Sequence, residues 1–156
     1  MRIRKAEPKD LPQIVEIESL CFTEDTAFPP GMFSYLIRYA VALVACDPED
    51  RILGFIIGYT SGNTGAVYTL DVHTGYRRKG IGIELLLALE KSLFGMGARS
   101  IRLEAALKKT GALELYRKAG YRERELIRNY YGRGCHAVRM WKVLPPLERP
   151  PRNDAE

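Results

Sequence analysis

A basic turn with two glycines has residue types that suit the binding of an anion. The stretch from Tyr68 to Gly82 has the sequence YTLDVHTGYRRKGIG, and the apolar segment IELLLALEKSLF follows it. We predict a strand, a turn and a helix, so that unpaired backbone N–H groups and the positive end of the helix dipole meet at one point. Glycines allow a ligand to approach the backbone closely, and basic side chains add charge-assisted contacts. The residues that carry this prediction are Arg77, Arg78, Lys79, Gly80, Ile81 and Gly82.

The turn differs from two common phosphate-binding motifs. A P-loop needs GxxxxGK followed by Ser or Thr, and a dinucleotide-binding fold needs GxGxxG, of which GIGIEL has only the first two glycines. A helix start with a solvated basic surface is the alternative interpretation, and the turn by itself leaves that alternative open.

Hydrophobic periodicity predicts the elements that position this turn. Helical spacing predicts one helix after Asp10, which stands at its N-cap position, and a second helix over MFSYLIRYA, after the two prolines. Apolar alternation predicts seven strands, the last two around YRERELIRNYY and HAVRMWKVL. Two further helices are predicted over about 80–96 and 110–119. The predicted order, β α α β β β α β α β β, indicates an α/β (α+β) fold with one mixed, largely antiparallel sheet and helices on both faces.

Composition limits the class of protein. The chain has 156 residues, of which 46% are hydrophobic and 28% charged, which predicts one domain over residues 1–144 and a disordered proline-rich tail over 145–156. The N-terminus does not resemble a signal peptide and no apolar run reaches eighteen residues, so we expect a cytoplasmic protein with no membrane partner. Three scattered cysteines and two histidines predict neither a disulfide framework nor a metal site. The net charge of +5 suits an anionic ligand, but without a continuous basic stripe it is weak evidence for nucleic acid, which we do not expect as a partner.

The motif RxxGxG, placed between a strand and a leucine-rich helix, resembles the acetyl-CoA signature of the GCN5-related N-acetyltransferases (GNAT). Downstream matches resemble the protein N-terminal acetyltransferase branch of that family, the RimI-like and Naa50-like enzymes. These matches are Leu103 and Glu104, Ala112, Leu115 and Tyr116, Gly120 and Tyr121, and Arg128, Asn129, Tyr130 and Tyr131. The resemblance covers about residues 2–144 and implies the GNAT fold, a mixed, mostly antiparallel sheet of six to seven strands with about four helices on both faces.

The resemblance implies acetyl-CoA as the cofactor. The basic turn would bind its pyrophosphate through backbone amides, the strand at Leu70 would hold the pantetheine arm, and the N–H of Val72 would stabilise charge on the acetyl oxygen. Lys109 stands where the family usually has an asparagine, and Asp71 where it usually has a small or apolar residue. The cofactor-binding residues implied are Leu70, Asp71, Val72, Arg77, Arg78, Lys79, Gly80, Ile81, Gly82, Lys109, Ala112 and Tyr116.

Two residues match the family's catalytic positions. Glu104 would accept a proton from the attacking amine, directly or through water, and Tyr116 would protonate the departing thiolate. The small neighbours of Tyr116, Ala112 and Ala119, would leave its ring accessible to a cleft. From the residues alone, Glu104 could equally be a surface carboxylate paired with an arginine, and Tyr116 a core tyrosine.

An aromatic and proline-rich set resembles the substrate groove of the N-terminal acetyltransferase branch. Phe28, Pro29, Pro30, Tyr130 and Tyr131 would flank the first residues of a peptide, although ordinary edge-strand packing remains the alternative. The resulting hypothesis is an acetyl-CoA-dependent enzyme that acetylates the α-amine of protein N-termini, ribosomal protein among them, by direct attack in a ternary complex. Two alternatives stay open: an acetyltransferase acting on lysine or a small amine, and a noncatalytic acyl-CoA-binding domain. The oligomeric state is left undetermined.

Overall fold

The chain alternates strands and helices in the predicted order. A computed structural model describes residues 1–21 and 29–146. Its elements are β1 (Arg2–Lys5), α1 (Leu11–Cys21), α2 (Pro30–Tyr39), β2 (Val41–Cys46), β3 (Ile52–Ser61), β4 (Thr64–Val72), α3 (Ile81–Gly95), β5 (Ser100–Ala106), α4 (Thr110–Lys118), β6 (Arg122–Ile127) and β7 (Ala137–Val143). Short 3₁₀ turns span Pro8–Asp10 and Thr74–Tyr76. The predicted fold class is therefore confirmed, and the tail beyond residue 146 lies outside the described residues.

One seven-stranded sheet has the order β1-β2-β3-β4-β5-β7-β6. Its neighbouring strands are antiparallel except for β4 and β5, which pair in parallel at residues 64–66 and 100–102. Among the described residues this parallel ladder ends at Ala66 and Arg102, so β4 and β5 separate over the rest of their lengths. The separation exposes backbone hydrogen-bonding groups at the middle of a sheet that is otherwise paired.

A β-bulge lies next to the point where β4 and β5 separate. Ile57 of β3 lies opposite Thr69, and Gly58 lies opposite Val67, so Tyr68 is the extra residue on β4. Bulges bend a strand and increase its twist, which turns the end of β4 away from β5.

Helices cover both faces of the sheet and divide the core into two layers. On one face α1 and α2 pack with Ile14, Ile17, Phe33 and Phe55. On the other face the near-continuous leucines of α3 are fully buried, namely Leu85, Leu86, Leu89 and Leu93. Burying each leucine contributes roughly 1.5–3 kcal/mol, which fixes α3 and the turn before it against the sheet.

The prediction that Asp10 caps α1 is wrong. Asp10 ends the 3₁₀ turn Pro8–Asp10, where its carboxylate accepts the N–H of Glu7 at 2.8 Å. The guanidinium of Arg4 donates to both carboxylate oxygens at 2.8 and 2.9 Å. The part-buried guanidinium of Arg4 on β1 therefore binds the carboxylate that capping rules assign to the helix.

The prediction that the final strand pair includes Tyr130 and Tyr131 is also wrong. Strand β6 ends at Ile127, and residues 128–136 form a turn in which Asn129 has a φ of 58°. The Asn129 carboxamide accepts the N–H of Gly134 at 2.8 Å, and His136 Nδ1 accepts the N–H of Asn129 at 2.9 Å.

Within residues 1–21 and 29–146, no helix combines the length and apolarity needed to cross a membrane.

Candidate active site

The basic turn leads into α3 as predicted. Its last residue, Gly80, caps the helix with a φ of 80°, and Arg78 also has a positive φ, 65°. Turns of this kind direct successive backbone N–H groups toward one concave surface, and the first N–H groups of α3 lack helical partners. A Cβ added at Gly80 would have no heavy atom within 4 Å, so this side of the turn is open.

Gly82 has a packing role that the sequence did not indicate. A Cβ added there would lie 2.8 Å from Leu115 Cδ1 of α4 and 3.8 Å from Val72 Cγ2 of β4. Glycine therefore lets the start of α3 contact α4 and β4 closely, beside the point where β4 and β5 separate.

The three basic side chains of the turn differ in their contacts. Arg77 donates from Nε to the carbonyl of Val72 at 3.3 Å, and its Nη2 lies 3.2 Å from the Cys21 Sγ at the end of α1. Lys79 lies over the ring of Tyr76, with Nζ 5.5 Å from the ring centroid. Arg77 thus connects the turn to β4 and α1, and all three basic side chains are exposed beside the helix start.

Glu104 lies on β5 between two arginines. Arg102 Nη1 donates to Glu104 Oε1 at 2.9 Å, and Arg139 of β7 donates to the same oxygen at 3.1 Å. Among the described residues, every hydrogen bond to this carboxylate goes to Oε1, and 9% of the side chain is exposed. The arginine pairing that the sequence left as an alternative is therefore present, and Oε2 is the oxygen through which the carboxylate could accept a proton.

The turn after β6 lies directly against Glu104. Tyr131 donates its hydroxyl to the main-chain carbonyl of Glu104 at 3.1 Å. The ring of Tyr130 packs edge-on against that of Tyr131, with centroids 4.9 Å apart, and remains 49% exposed. Two predicted substrate residues and one predicted catalytic residue thus come together, although the tyrosines belong to a turn and not to a strand.

Tyr116 is more buried than the sequence indicated. Only 8% of the residue is exposed, and its ring packs against that of Tyr121 with centroids 6.0 Å apart. Burial raises the pKa of Tyr116, and the nearby Asp71 and Tyr131 raise it further. The expected open ring is therefore wrong for this conformation, but the phenol stays protonated and lies close to both β4 and the turn after β6.

Lys109 makes a contact that the sequence did not predict. Its ammonium donates to the carbonyl of Cys21 at 3.0 Å and so connects the segment before α4 to the end of α1. This contact fixes the C-terminal end of α1, the last described residue before the gap at 22–28.

The predicted substrate loop is only partly described. Phe28 lies outside the described residues, Pro29 is exposed, and Pro30 begins α2.

Sequence reasoning also missed Arg102 and Arg139, although strand geometry offered a signal. Arg102 is two residues before Glu104 and thus on the same face of β5, and Arg139 is its partner on β7.

The sequence matches a known protein family along most of its length. The model of the acetyltransferase (GNAT) family matches residues 11–121. The chain belongs to the GNAT family. It is 32% identical to an uncharacterized N-acetyltransferase of Methanocaldococcus jannaschii over 152 residues, which cover 96% of each chain. It is also 31% identical to a protein of Sulfurisphaera tokodaii named N-alpha-acetyltransferase, over 89% of this chain and 90% of the other.

A solved GNAT-like structure supports the same assignment. Ard1 from Thermoplasma volcanium superposes with a TM-score of 0.84 at 25% identity, covering 92% of this chain and 97% of the other. The chain is therefore an N-acetyltransferase of the GNAT family, in the branch of N-terminal acetyltransferases, and acetyl-CoA is its acetyl donor.

The residues present fit that donor. The open side of Gly80 and the free N–H groups at the start of α3 suit a diphosphate, with Arg78 and Lys79 exposed beside them. Among the described residues, β4 has no strand partner on the β5 side over residues 67–72, and although the Val72 carbonyl accepts from Arg77, this edge offers strand-like hydrogen bonds to an extended amide-containing arm. When bound, acetyl-CoA supplies an activated acetyl thioester.

Proposed function

We propose that this GNAT enzyme acetylates the α-amine of protein N-termini by direct attack in a ternary complex. The observation that carries the proposal is the hydrogen bond from Tyr131 to the main chain of Glu104, which joins an aromatic turn to a candidate proton acceptor. Relatives named N-alpha-acetyltransferase support the same acceptor class. In the proposal, Tyr130 and Tyr131 form one wall of the acceptor groove, and the loop that includes Phe28, Pro29 and Pro30 forms the other.

The proton requirements of an α-amine suit Glu104. An α-amine has a pKa of about 7.7–8.0, against about 10.4 for lysine, so part of it is unprotonated near neutrality. A carboxylate acting through water could accept a proton from the amine as it attacks, and the two arginines hold that carboxylate in place. Tyr116, whose phenol is kept protonated by burial, would return a proton to the sulfur.

Direct attack is supported by the state of the Cys21 thiol. Cys21 lies beside the end of β4, where burial raises the pKa of its thiol and the nearby Asp71 adds to that effect. The thiol form is a poor nucleophile, so an acetyl-cysteine intermediate is disfavoured. We expect initial-velocity plots for both substrates to intersect, as a ternary complex requires, whereas parallel lines would contradict direct attack.

The acceptor class is tested with matched peptides. One peptide carries a free α-amine and no lysine, a second has the same sequence with a blocked α-amine and one internal lysine, and spermidine represents small amines. The proposal predicts that coenzyme A release is fastest with the free α-amine by about tenfold or more, since lysine is mostly protonated at pH 7. Faster release with the blocked peptide or with spermidine would refute the proposed acceptor.

A further inference from the structure

Two carboxyl groups are buried together between α1 and β4. Glu18 and Asp71 are only 3% and 2% exposed. Asp71 Oδ1 accepts the hydroxyl of Thr69 at 3.0 Å, whereas Asp71 Oδ2 and Glu18 Oε2 are buried with no hydrogen-bond partner among the described residues, although the two side chains lie close enough to interact. Two adjacent buried carboxylates cannot both stay ionised at low cost, so one proton shared between these two oxygens would satisfy both groups.

Their surroundings favour a singly protonated pair. Burial and the charge of Asp71 raise the pKa of Glu18. Burial also raises the pKa of Asp71, although the interaction with Glu18 and the nearby cations Lys109 and Arg77 partly offset this rise. The pair therefore holds one proton, mainly on Glu18, and one negative charge, mainly on Asp71, and it titrates as a unit. The charged and titratable groups that face it are Cys21, Arg77, Lys109 and Tyr116.

The pair lies where β4 has left β5. Asp71 is between Leu70 and Val72, the residues expected along the pantetheine arm, and its strand partner Phe55 packs in the layer formed by α1 and α2. Glu18 is one helical turn before the end of α1, after which the predicted substrate loop begins. Asp71 is also close enough to Tyr116 to raise the pKa of that phenol. The negative charge therefore lies on the side of the sheet that α1 and α2 cover, and near the candidate proton donor.

We propose that Asp71, supported by its proton-sharing partner Glu18, takes a proton from the acceptor ammonium before the amine attacks. This inference rests on the proposed function in requiring an amine acceptor on this side of the sheet. The ammonium proton passes to Asp71, the nitrogen lone pair forms the C–N bond, and the C–S bond breaks toward sulfur. The second nitrogen proton leaves through Glu104, and the sulfur takes its proton from Tyr116, which Asp71 reprotonates. One proton is released for each acetyl group transferred.

Two isosteric substitutions separate this role from a structural one. In Glu18→Gln the amide N–H donates to Asp71 and imitates protonated Glu18, so the proton acceptor remains. In Asp71→Asn the carboxylate is lost from β4 although a hydrogen bond between the side chains can still form. We expect Asp71→Asn to lower kcat/KM by about 100-fold, within the range of general-base contributions, and Glu18→Gln, which keeps the carboxylate of Asp71, to lower it much less.

The pH profile supplies a readout that lost packing would not change. Protonated Asp71 cannot accept a proton, so the wild-type kcat/KM falls as the pH drops below the first pKa of the pair. Glu18→Gln should keep this acidic limb, and Asp71→Asn should lose it. Equal losses in both variants, or an unchanged acidic limb in Asp71→Asn, would overturn the proposal.

Two further measurements keep the test decisive. Infrared difference spectra of the enzyme without substrates should show a protonated carboxylic acid that disappears in Glu18→Gln, and absence of that band in the wild type would overturn the shared proton. If Asp71→Asn folds poorly, the combined Glu18→Gln and Asp71→Asn variant replaces the pair with two amides that can hydrogen-bond to each other, and it should fold yet stay as slow as Asp71→Asn. All assays use whichever amine proves to be the best acceptor, so a lysine or polyamine substrate would refute the α-amine proposal without affecting this one.

Discussion

Replacing Glu104 by glutamine removes a negative charge between two arginines while keeping the size and shape of the side chain. The amide oxygen of glutamine can still accept hydrogen bonds from Arg102 and Arg139, which now donate at 2.9 and 3.1 Å. The substitution therefore preserves the position of β5 and of the Tyr131 contact, which uses the main chain of residue 104. What it removes is the capacity to accept a proton.

The expected loss of rate follows from the pKa of the acceptor amine, and the expected loss of stability follows from the burial of the Glu104 carboxylate. General-base groups contribute about 10²–10⁴ to the rate, and an α-amine that is already about a tenth unprotonated at pH 7 needs the lower end. We expect kcat to fall about 100-fold, or about 2.8 kcal/mol in activation free energy. Loss of charge from hydrogen bonds at a site 9% exposed should also lower the free energy of unfolding by about 1–3 kcal/mol.

Glu125 provides a matched control. It accepts a hydrogen bond from Arg139 at 2.9 Å but is 54% exposed on β6. Glu125→Gln should change unfolding by less than about 1 kcal/mol and leave kcat unchanged. The assay is steady-state coenzyme A release at saturating substrates, with acetyl-CoA affinity measured by calorimetry. If Glu104→Gln keeps wild-type kcat, or if Glu125→Gln slows turnover equally, the assignment of Glu104 as proton acceptor is refuted.

Three further predictions concern the cofactor turn, the candidate proton donor and the N-terminal ion pair. Gly80→Glu should weaken acetyl-CoA binding at least tenfold in calorimetry relative to Gly80→Ala, which bears the same backbone strain without the charge; equal affinities would contradict the anion site. Tyr116→Phe should lower kcat without changing acetyl-CoA affinity, whereas Tyr121→Phe, which loses a hydrogen bond to Glu90 at 2.9 Å, should affect mainly the melting temperature. Burial opposes ionisation of Asp10, but the hydrogen bonds from Arg4 and the Glu7 N–H outweigh it and lower the pKa of Asp10. The ionised carboxylate therefore stabilises the fold fully above about pH 4, and this contribution is lost as the pH falls through the lowered pKa. Asp10→Asn should therefore cost about 3 kcal/mol in urea unfolding at pH 7 and little near pH 2; a constant difference would contradict the linkage.

Local patterns were sufficient to predict the fold. The leucine spacing of α3 and the alternation of β5 are set by burial, which acts on neighbouring residues in the sequence, so periodicity identified both. The same holds for the glycine turn, because only a few residue types allow the φ of 80° found at Gly80.

The remaining features depended on side-chain contacts that local propensity does not encode, both between distant residues and within short segments. Asp71 looked unexplained because Glu18, its partner, is on α1, more than fifty residues earlier. Asp10 was predicted to cap α1, but its carboxylate binds Arg4, which lies six residues earlier on β1. The two tyrosines were placed on a strand because strand propensity favours tyrosine, whereas the hydrogen bonds of Asn129 with Gly134 and His136 make a turn. Each of these outcomes is decided by a particular side-chain interaction, which residue propensities and periodicity do not show.

The position of the acetyl group on a peptide that offers two amines tests the central proposal most directly. The peptide carries a free α-amine and one internal lysine, and fragmentation mass spectrometry after a single limited incubation with acetyl-CoA locates the modification. The proposed groove at Tyr130, Tyr131 and Glu104 predicts acetyl on the α-amine almost exclusively, and loss of that product in Glu104→Gln. Acetylation mainly on the lysine would contradict the proposed acceptor.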